Sequence, residues 1–467
     1  MGKKFFFKCL LLCCFFNSGI FKSKGQITFE RLYNFPVAAS AYSALPVNNG
    51  YILLIGVFDS SGIGQRELLK VNEFGDTLWR KVIGGGLYFQ MIISADSIIH
   101  LIGGNGQGIV SQYNLSGDFL RSFDLVSYDS AMQTPLTIYP IGICKSLDGG
   151  FFISGAIDSS VCCLKNLLVM KTDSLFNAIW VWKKYYDIYR NTSADIIETS
   201  DHSILVEIGS ENIIQQPISH LFKLNSQGDF IWAKTIYNVH NYYSLIETSN
   251  KEYVHCGNTN SGNGLNSYIE KLDSSGNMIW RDTILNSWYN SLCLSGDNEI
   301  TVTGSALNSF SQIRIFLRKY DSSGHLTLDR SYRNDIDGIT YFIKETPDSG
   351  FVIAAAGRVF PARENCYLIK TDNNGEIIAD IQNIYKDKIS IYPNPFSNNF
   401  KIDFIENGNY EIKFYNSTGS LFLKENFQGN VLSFDLNKYS DGIYLVKIQD
   451  KKSNKIYSEK FIKISDK

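Results

Sequence analysis

Apolar and polar residues alternate by two along most of this chain, and clusters of Asp, Asn, Ser and Gly interrupt the alternation at short intervals. That period belongs to β-strands, and the interruptions are turn residues. One pattern recurs: an alternating run, an Asp/Asn-x-x-Gly turn, and a second run that opens on a large apolar residue. Its copies read LLKVNEFGDTLW from Leu68, SQYNLSGDFLR from Ser111, LVMKTDSLFNAIW from Leu168, LFKLNSQGDFIW from Leu221, YIEKLDSSGNMIW from Tyr268, FLRKYDSSGHLTL from Phe316 and YLIKTDNNGEII from Tyr367. Each reads as a β-hairpin. A second apolar run precedes every copy, as in DGGFFISGA, DHSILVEIG and DSGFVIAAAG.

The turn glycines Gly228, Gly276 and Gly324 lie 48 residues apart. An all-β period of that size, without a 3.6-residue rhythm, predicts four-stranded blades and so a seven-bladed β-propeller over residues 26–384. The links between first and second strands and between third and fourth strands are short and share one face of the disc. The longer links share the other. An open disc would leave strand edges exposed. Residues 27–35 resemble a fourth strand without its three predecessors, Phe29 standing where the first repeat has Trp79. They are expected to complete the last blade, with residues 376–381 as the rival.

Residues 385–388 form a short charged linker. Beyond it, ISIYPNPFSNNFKIDF, YEIKFYNSTGSLFLKE, VLSFDLNKYSDGIYLVKIQD and KIYSEKFIKI predict a small C-terminal β-sandwich of seven strands over 389–467. The fold class is therefore all-β, a propeller followed by a sandwich.

The N-terminus changes the compartment. Residues 1–25 join early lysines to apolar runs and end in Ser23-Lys24-Gly25, which predicts a secretory signal peptide cleaved after Gly25. The apolar run is broken by Lys8 and falls short of the ~20 residues a membrane span needs. Six cysteines follow it: Cys144, Cys162, Cys163, Cys256, Cys293 and Cys366. Export permits disulfides, and Cys144 with Cys162 or Cys163 is the expected pair; most of the others sit in β runs as small hydrophobes. No Cys/His spacing suits zinc, and no cofactor motif is present. The formal net charge is −2, with a basic tail on an acidic propeller. That balance argues against nucleic acid as a partner, and a monomer is expected.

Candidate ligand contacts fall in the blade-to-blade links, where aromatic residues gather: Tyr88, Tyr186, Tyr189, Tyr242, Trp288, Tyr289 and Tyr332. Such rings suit stacking on sugars or burial against a protein. A non-catalytic module that binds glycan or protein is the favoured reading. The alternative is a glycan-processing hydrolase or lyase, which needs two carboxyls about 5–10 Å apart. Asp187, Asp195, Asp335 and Asp337 are its candidates, although none stands in a recognisable catalytic motif.

The repeats resemble the tandem-turn propellers of exported Bacteroidota proteins. Their Asp-x-x-Gly-x-x-x-Trp spacing is also similar to the Asp-box of sialidases, but the Trp falls one residue too late, so the aspartates are read as turn formers. The tail resembles the type A C-terminal sorting domain of the type IX secretion system. The matching residues are Tyr392-Pro393-Asn394-Pro395, Tyr415-Asn416 with Gly419, Asp435-Leu436, Gly442-Ile443-Tyr444 and a final strand that includes Lys463. The resemblance implies handling by the type IX secretion machinery and passage through the periplasm across the outer membrane. It also implies removal of the domain by a sortase-like peptidase near residues 380–388, with possible attachment to anionic lipopolysaccharide. The protein would then be secreted or held on the outer cell surface.

Overall fold

The computed structural model describes residues 26–377 and 389–463, except the links 59–63, 84–87, 105–106, 129–134, 159–164, 213–215, 238, 261–264, 297, 309–311, 334, 359–362, 393–395, 417–419 and 453–455. The segment expected to be a signal peptide and the whole 385–388 linker therefore lie outside the described residues. The described residues contain strands and turns and no helix.

Seven antiparallel blades make up residues 29–371. The fifth is typical: Val239–Glu247, Tyr253–Asn260, Leu265–Leu272 and Met278–Ile284, here called strands a to d. Strands a to c are largely buried, whereas strand d alternates exposed and half-buried residues, as the outer edge of a disc must. The third and fourth blades share one 21-residue strand, Ala178–Glu198. Its first half is strand d of blade 3, paired to Lys165–Thr172, and its second half is strand a of blade 4, paired to Ile204–Asn212.

Blade 7 takes strands a to c from Asp337–Glu345, Phe351–Arg358 and Asn365–Thr371. Its strand d is Phe29–Tyr33, paired residue for residue with 366–370. Gln26 extends this contact, accepting from the Asn373 amide at 3.2 Å.

The c–d turns share one design, although in blade 3 Phe176 at φ +63° stands in place of the turn glycine. In blade 5, one Asp273 carboxylate oxygen accepts from the Ser275 and Asn277 amides, each at 2.9 Å, and Gly276 adopts φ +84°. The two ends of the turn are complementary: one supplies a carboxylate and the other a nitrogen. The pairs are Asn72 with Asp76, Asn114 with Asp118, Asp173 with Asn177, Asn225 with Asp229, Asp273 with Asn277, and Asp321 with His325.

The turn glycine has a second task. A β-carbon on Gly276 would meet the Trp232 ring of the preceding blade at 3.1 Å, and one on Gly228 would meet Trp180 at 2.9 Å. The Trp180, Trp232 and Trp280 indoles each donate to a carbonyl in the next turn, at Ser226, Ser274 and Ser322. Each tryptophan thus fastens its own blade to the next one.

In five blades the lysine two residues before the turn's Asp or Asn is buried against an acid from the a–b turn, while Lys70 of blade 1 donates instead to the Leu115 carbonyl at 3.3 Å. Lys223 meets Asp201 at 2.8 Å, Lys319 meets Glu299 at 3.1 Å and Lys370 meets Asp348 at 3.0 Å. Lys171 with Asp148 and Lys271 with Glu252 repeat the contact. Blade 2 substitutes a neutral pair, Gln112 with His100 at 3.2 Å.

Cys144 is a free thiol, and its expected partners Cys162 and Cys163 lie outside the described residues. Cys256, Cys293 and Cys366 are free as well.

The C-terminal domain holds five strands: Ile389–Tyr392, Asn399–Tyr415, Leu421–Asp435, Gly442–Asp450 and Ile456–Lys463. The rings of Phe400 and Phe414, both in the second strand, lie 6.0 Å apart. Fourteen residues of straight strand would separate them by about 46 Å. The strand therefore folds back on itself at the irregularity between Asp403 and Gly408, and the sheet becomes two layers around one core. The domain thus has five strands, two of them long, where seven shorter ones were expected from the sequence. Phe400, Phe414, Phe434, Tyr444, Val446 and Phe461 fill that core.

Candidate functional site

The seven innermost strands surround a central channel, which holds a cavity of about 840 Å³ at the end nearest the a–b turns. Every blade contributes to its wall, from Leu45 in blade 1 to Glu345 in blade 7. Each inner strand carries an irregularity that admits extra residues, as between Ala41 and Ser43, Tyr88 and Gln90, and Tyr289 and Ser291. Bulges of this kind bend a strand and re-aim the side chains beside it.

Residues just past these bulges make hydrogen bonds across four of the seven blade junctions. Gln90 accepts from the Ile143 amide at 2.6 Å, Asp195 from Leu245 at 2.9 Å, Ser244 from Leu292 at 3.1 Å and Ser291 from Ile343 at 3.2 Å. Each side chain thus holds the backbone of the following inner strand.

A second set of contacts, at three junctions, involves the glutamates near the a–b turns and points the opposite way round the disc. Glu198 accepts from the Leu147 amide at 2.7 Å, Glu247 from Ser200 at 2.6 Å and Glu345 from Gly296 at 2.8 Å. Each glutamate reaches back to the a–b turn of the preceding blade.

Asp195 differs from its serine counterparts in being ionisable. It also accepts from the Ile196 amide at 2.9 Å. Burial nevertheless pushes its carboxyl up to about 7, the backbone amides opposing the shift. Behind it lies a charged row across the blade 4 and blade 5 interface. His255 meets Glu207 at 3.1 Å and stands 3.9 Å from Glu270, which Arg281 approaches at 3.4 Å and Lys234 contacts directly. Burial alone would lower the His255 pKa, but the Glu207 and Glu270 carboxylates raise it to about 9.

The other carboxylates singled out in the sequence are dispersed. Asp335 is bound by Arg333, and Asp337 lies between Arg314 at 3.7 Å and Arg358 at 3.4 Å, at the opposite end of blade 7 from the channel cavity. Asp187 lies on the strand shared by blades 3 and 4, and its side chain is outside the description. Among the described residues no group of three or more His, Cys, Asp or Glu is placed to hold a metal.

The candidate aromatic face is also divided. Tyr88, Tyr289 and Tyr332 are buried, and each is hydrogen-bonded inside the propeller. Their hydroxyls meet Ser111 at 2.8 Å, Tyr320 at 2.8 Å and the Gly375 carbonyl at 3.1 Å. Trp288 is half-buried at the start of the inner strand of blade 6. The side chains of Tyr186, Tyr189 and Tyr242 lie outside the description. The channel contacts were missed in the sequence; the signal for one set of them was the Glu-Thr pair ending three inner strands, at Glu198, Glu247 and Glu345.

In the C-terminal domain, Tyr444 is buried, donates to the Ser440 carbonyl and stacks on Phe461 at 5.7 Å. Lys463 is buried against Asp441 at 3.2 Å, opposite Gly442 in the ladder, and Asp435 caps the turn at Asn437. Tyr392 ends the first strand; Pro393, Asn394, Pro395 and Gly419 lie outside the described residues. Residues 390–464 match the family model of the secretion system C-terminal sorting domain. The chain carries a sorting domain. That domain marks it as a cargo of the type IX secretion system, exported to the cell surface or beyond.

Among solved structures, the chain is similar to PorZ of Porphyromonas gingivalis, described as an essential bacterial surface component of the type-IX secretion system. The identity is 11%, over 89% of this chain and 69% of that one, with a TM-score of 0.40. It is also similar to the Dos1 propeller, at 13% identity over 80% and 91% of the two chains and a TM-score of 0.44. A protein of unknown function from Dyadobacter fermentans matches at 11% identity over 73% and 97%, with a TM-score of 0.40. No curated protein matches the chain by sequence.

Proposed function

We propose that the propeller is a non-catalytic binding module for glycan or protein, carried to the cell surface by its sorting domain. The observation that supports this reading is the commitment of the described candidate carboxylates. Asp195 holds backbone amides of the inner strands, while Asp335 and Asp337 are bound by arginines elsewhere. A glycosidase needs two carboxyls facing one substrate bond with room for it between them. The binding surface is the face that carries the long links, where Trp288 stands and where length and composition vary most from blade to blade.

On this reading a sortase-like peptidase removes the sorting domain within residues 380–388 and joins the propeller to anionic lipopolysaccharide. A glycan array probed with the secreted full chain tests the ligand class. Retention of a defined glycan family, without its cleavage, is the expected result. Release of shortened glycan would overturn the non-catalytic reading, and a silent array would assign the face to a protein partner.

A further inference from the structure

The channel cavity lies at the end of the disc away from the long links, so its chemistry is independent of a ligand on that face. Half-buried Leu45, Ile92, Ile197 and Ile246 form an aliphatic wall. Six ionisable side chains join them: Lys145 from blade 3, Asp195 and Glu198 from blade 4, Glu247 from blade 5, and Lys344 and Glu345 from blade 7. Blades 4 and 7 stand three apart in a ring of seven, which places Asp195 and Lys344 on nearly opposite sides, whereas Lys145 stands on the blade next to Asp195. Lys344 is exposed and has no ion pair among the described residues, although its charge acts on Asp195 across the space.

The glutamates of the mouth, Glu198, Glu247 and Glu345, accept from backbone amides and make no direct ion pair with Lys344 among the described residues. Asp195 spends two acceptor positions on the Ile196 and Leu245 amides. A carboxylate has about four such positions, so it retains capacity for a further donor. A cavity of about 840 Å³ falls within the usual range for small-molecule sites.

We propose that this chamber binds a short apolar peptide with free termini, its carboxylate on Lys344, its ammonium on Asp195 and its side chains against the aliphatic wall. A single amino acid does not fit the arrangement, because its two charges are adjacent and cannot serve opposite walls. Two or three extended residues separate the termini by about 7–10 Å.

The test is calorimetric titration of the full chain with the tripeptide Leu-Ala-Leu, its N-acetylated form and its C-amidated form. The free peptide should bind, and each blocked form should bind at least tenfold more weakly. Lys344→Gln should weaken the free peptide by a similar factor while leaving the thermal midpoint unchanged, since no described contact of the fold depends on that ammonium. Asp195→Asn, which keeps an acceptor for the Leu245 amide, should remove the penalty for acetylation. No binding of the free peptide, equal binding of blocked forms, or full binding by Lys344→Gln would overturn the proposal.

Discussion

The ring of Phe29 closes over Gly75: a β-carbon added to that glycine would meet Phe29 Cε2 at 2.7 Å. Phe29 belongs to the first described strand and Gly75 to the c–d turn of the first blade. Their contact is the one Trp232 makes with Gly276, so the last blade is fastened to the first by the same device that joins the others. Tyr33 and Arg31 reinforce it, the Tyr33 hydroxyl donating to the Gly75 carbonyl at 2.7 Å and Arg31 facing Asp76 at 3.7 Å.

Phe29→Ala should therefore cost about 3–5 kcal/mol in denaturant unfolding, the usual range for emptying a buried phenylalanine site. Gly75→Ala should be destabilising too, because its φ of +81° is strained for alanine and the new methyl has no room. Unchanged midpoints for both would remove this contact from the account of closure.

The buried lysines make an asymmetric prediction. Lys370 is 1% exposed, whereas its partner Asp348 is 38% exposed. Asp348→Ala strands a buried ammonium and should cost about 3 kcal/mol, while Lys370→Met leaves a carboxylate that water can reach and should cost less. Equilibrium unfolding of the two variants decides the order.

The charged row behind the channel sets a pH dependence. His255 binds its proton more tightly folded, at about 9, than at the ordinary 6.5. Its contribution to stability is thus complete below about pH 6.5 and is lost as the pH rises through about 9. The thermal midpoint should fall over that interval, and His255→Gln should flatten the fall. A wild-type curve that is level from pH 6.5 to 9.5 would show that His255 is not held charged between Glu207 and Glu270.

For the sorting domain, Phe461→Asp places a charge in a core where Phe461 is fully enclosed by Phe396, Phe400 and Tyr444. Surface display should fall at least tenfold, with folded propeller retained in the periplasm. The measurement is protease accessibility on whole cells against total protein, and undiminished display would separate export from this domain's fold.

Much of this architecture was legible in one dimension. A two-residue rhythm and Asx-Gly turns repeated at a fixed spacing specify hairpins and their number, since each is a local property of the backbone. The sequence even carries the complement within six of the seven turns, aspartate at one end where asparagine or histidine stands at the other; the seventh pairs Asp372 with Glu376. The bend that makes the sorting domain two-layered left less trace, because Phe400 and Phe414 are ordinary strand residues until the strand folds and brings them together.

Alternation tells which residues share a face of one blade. It does not tell what that face meets, because in a propeller both faces of a blade are covered by neighbours. Tyr88, Tyr289 and Tyr332 read as loop aromatics, yet packing turns them inward to Ser111, Tyr320 and Gly375. The tryptophan that follows the turn in four blades reads as a strand residue, and only the next blade makes it a fastener. The sequence by itself determined the strands, the turns and the repeat. The tertiary structure decided the two sets of channel contacts, the opposition of Asp195 and Lys344, and the closure of Phe29 on Gly75, because each joins residues on different blades that only the circular arrangement brings together.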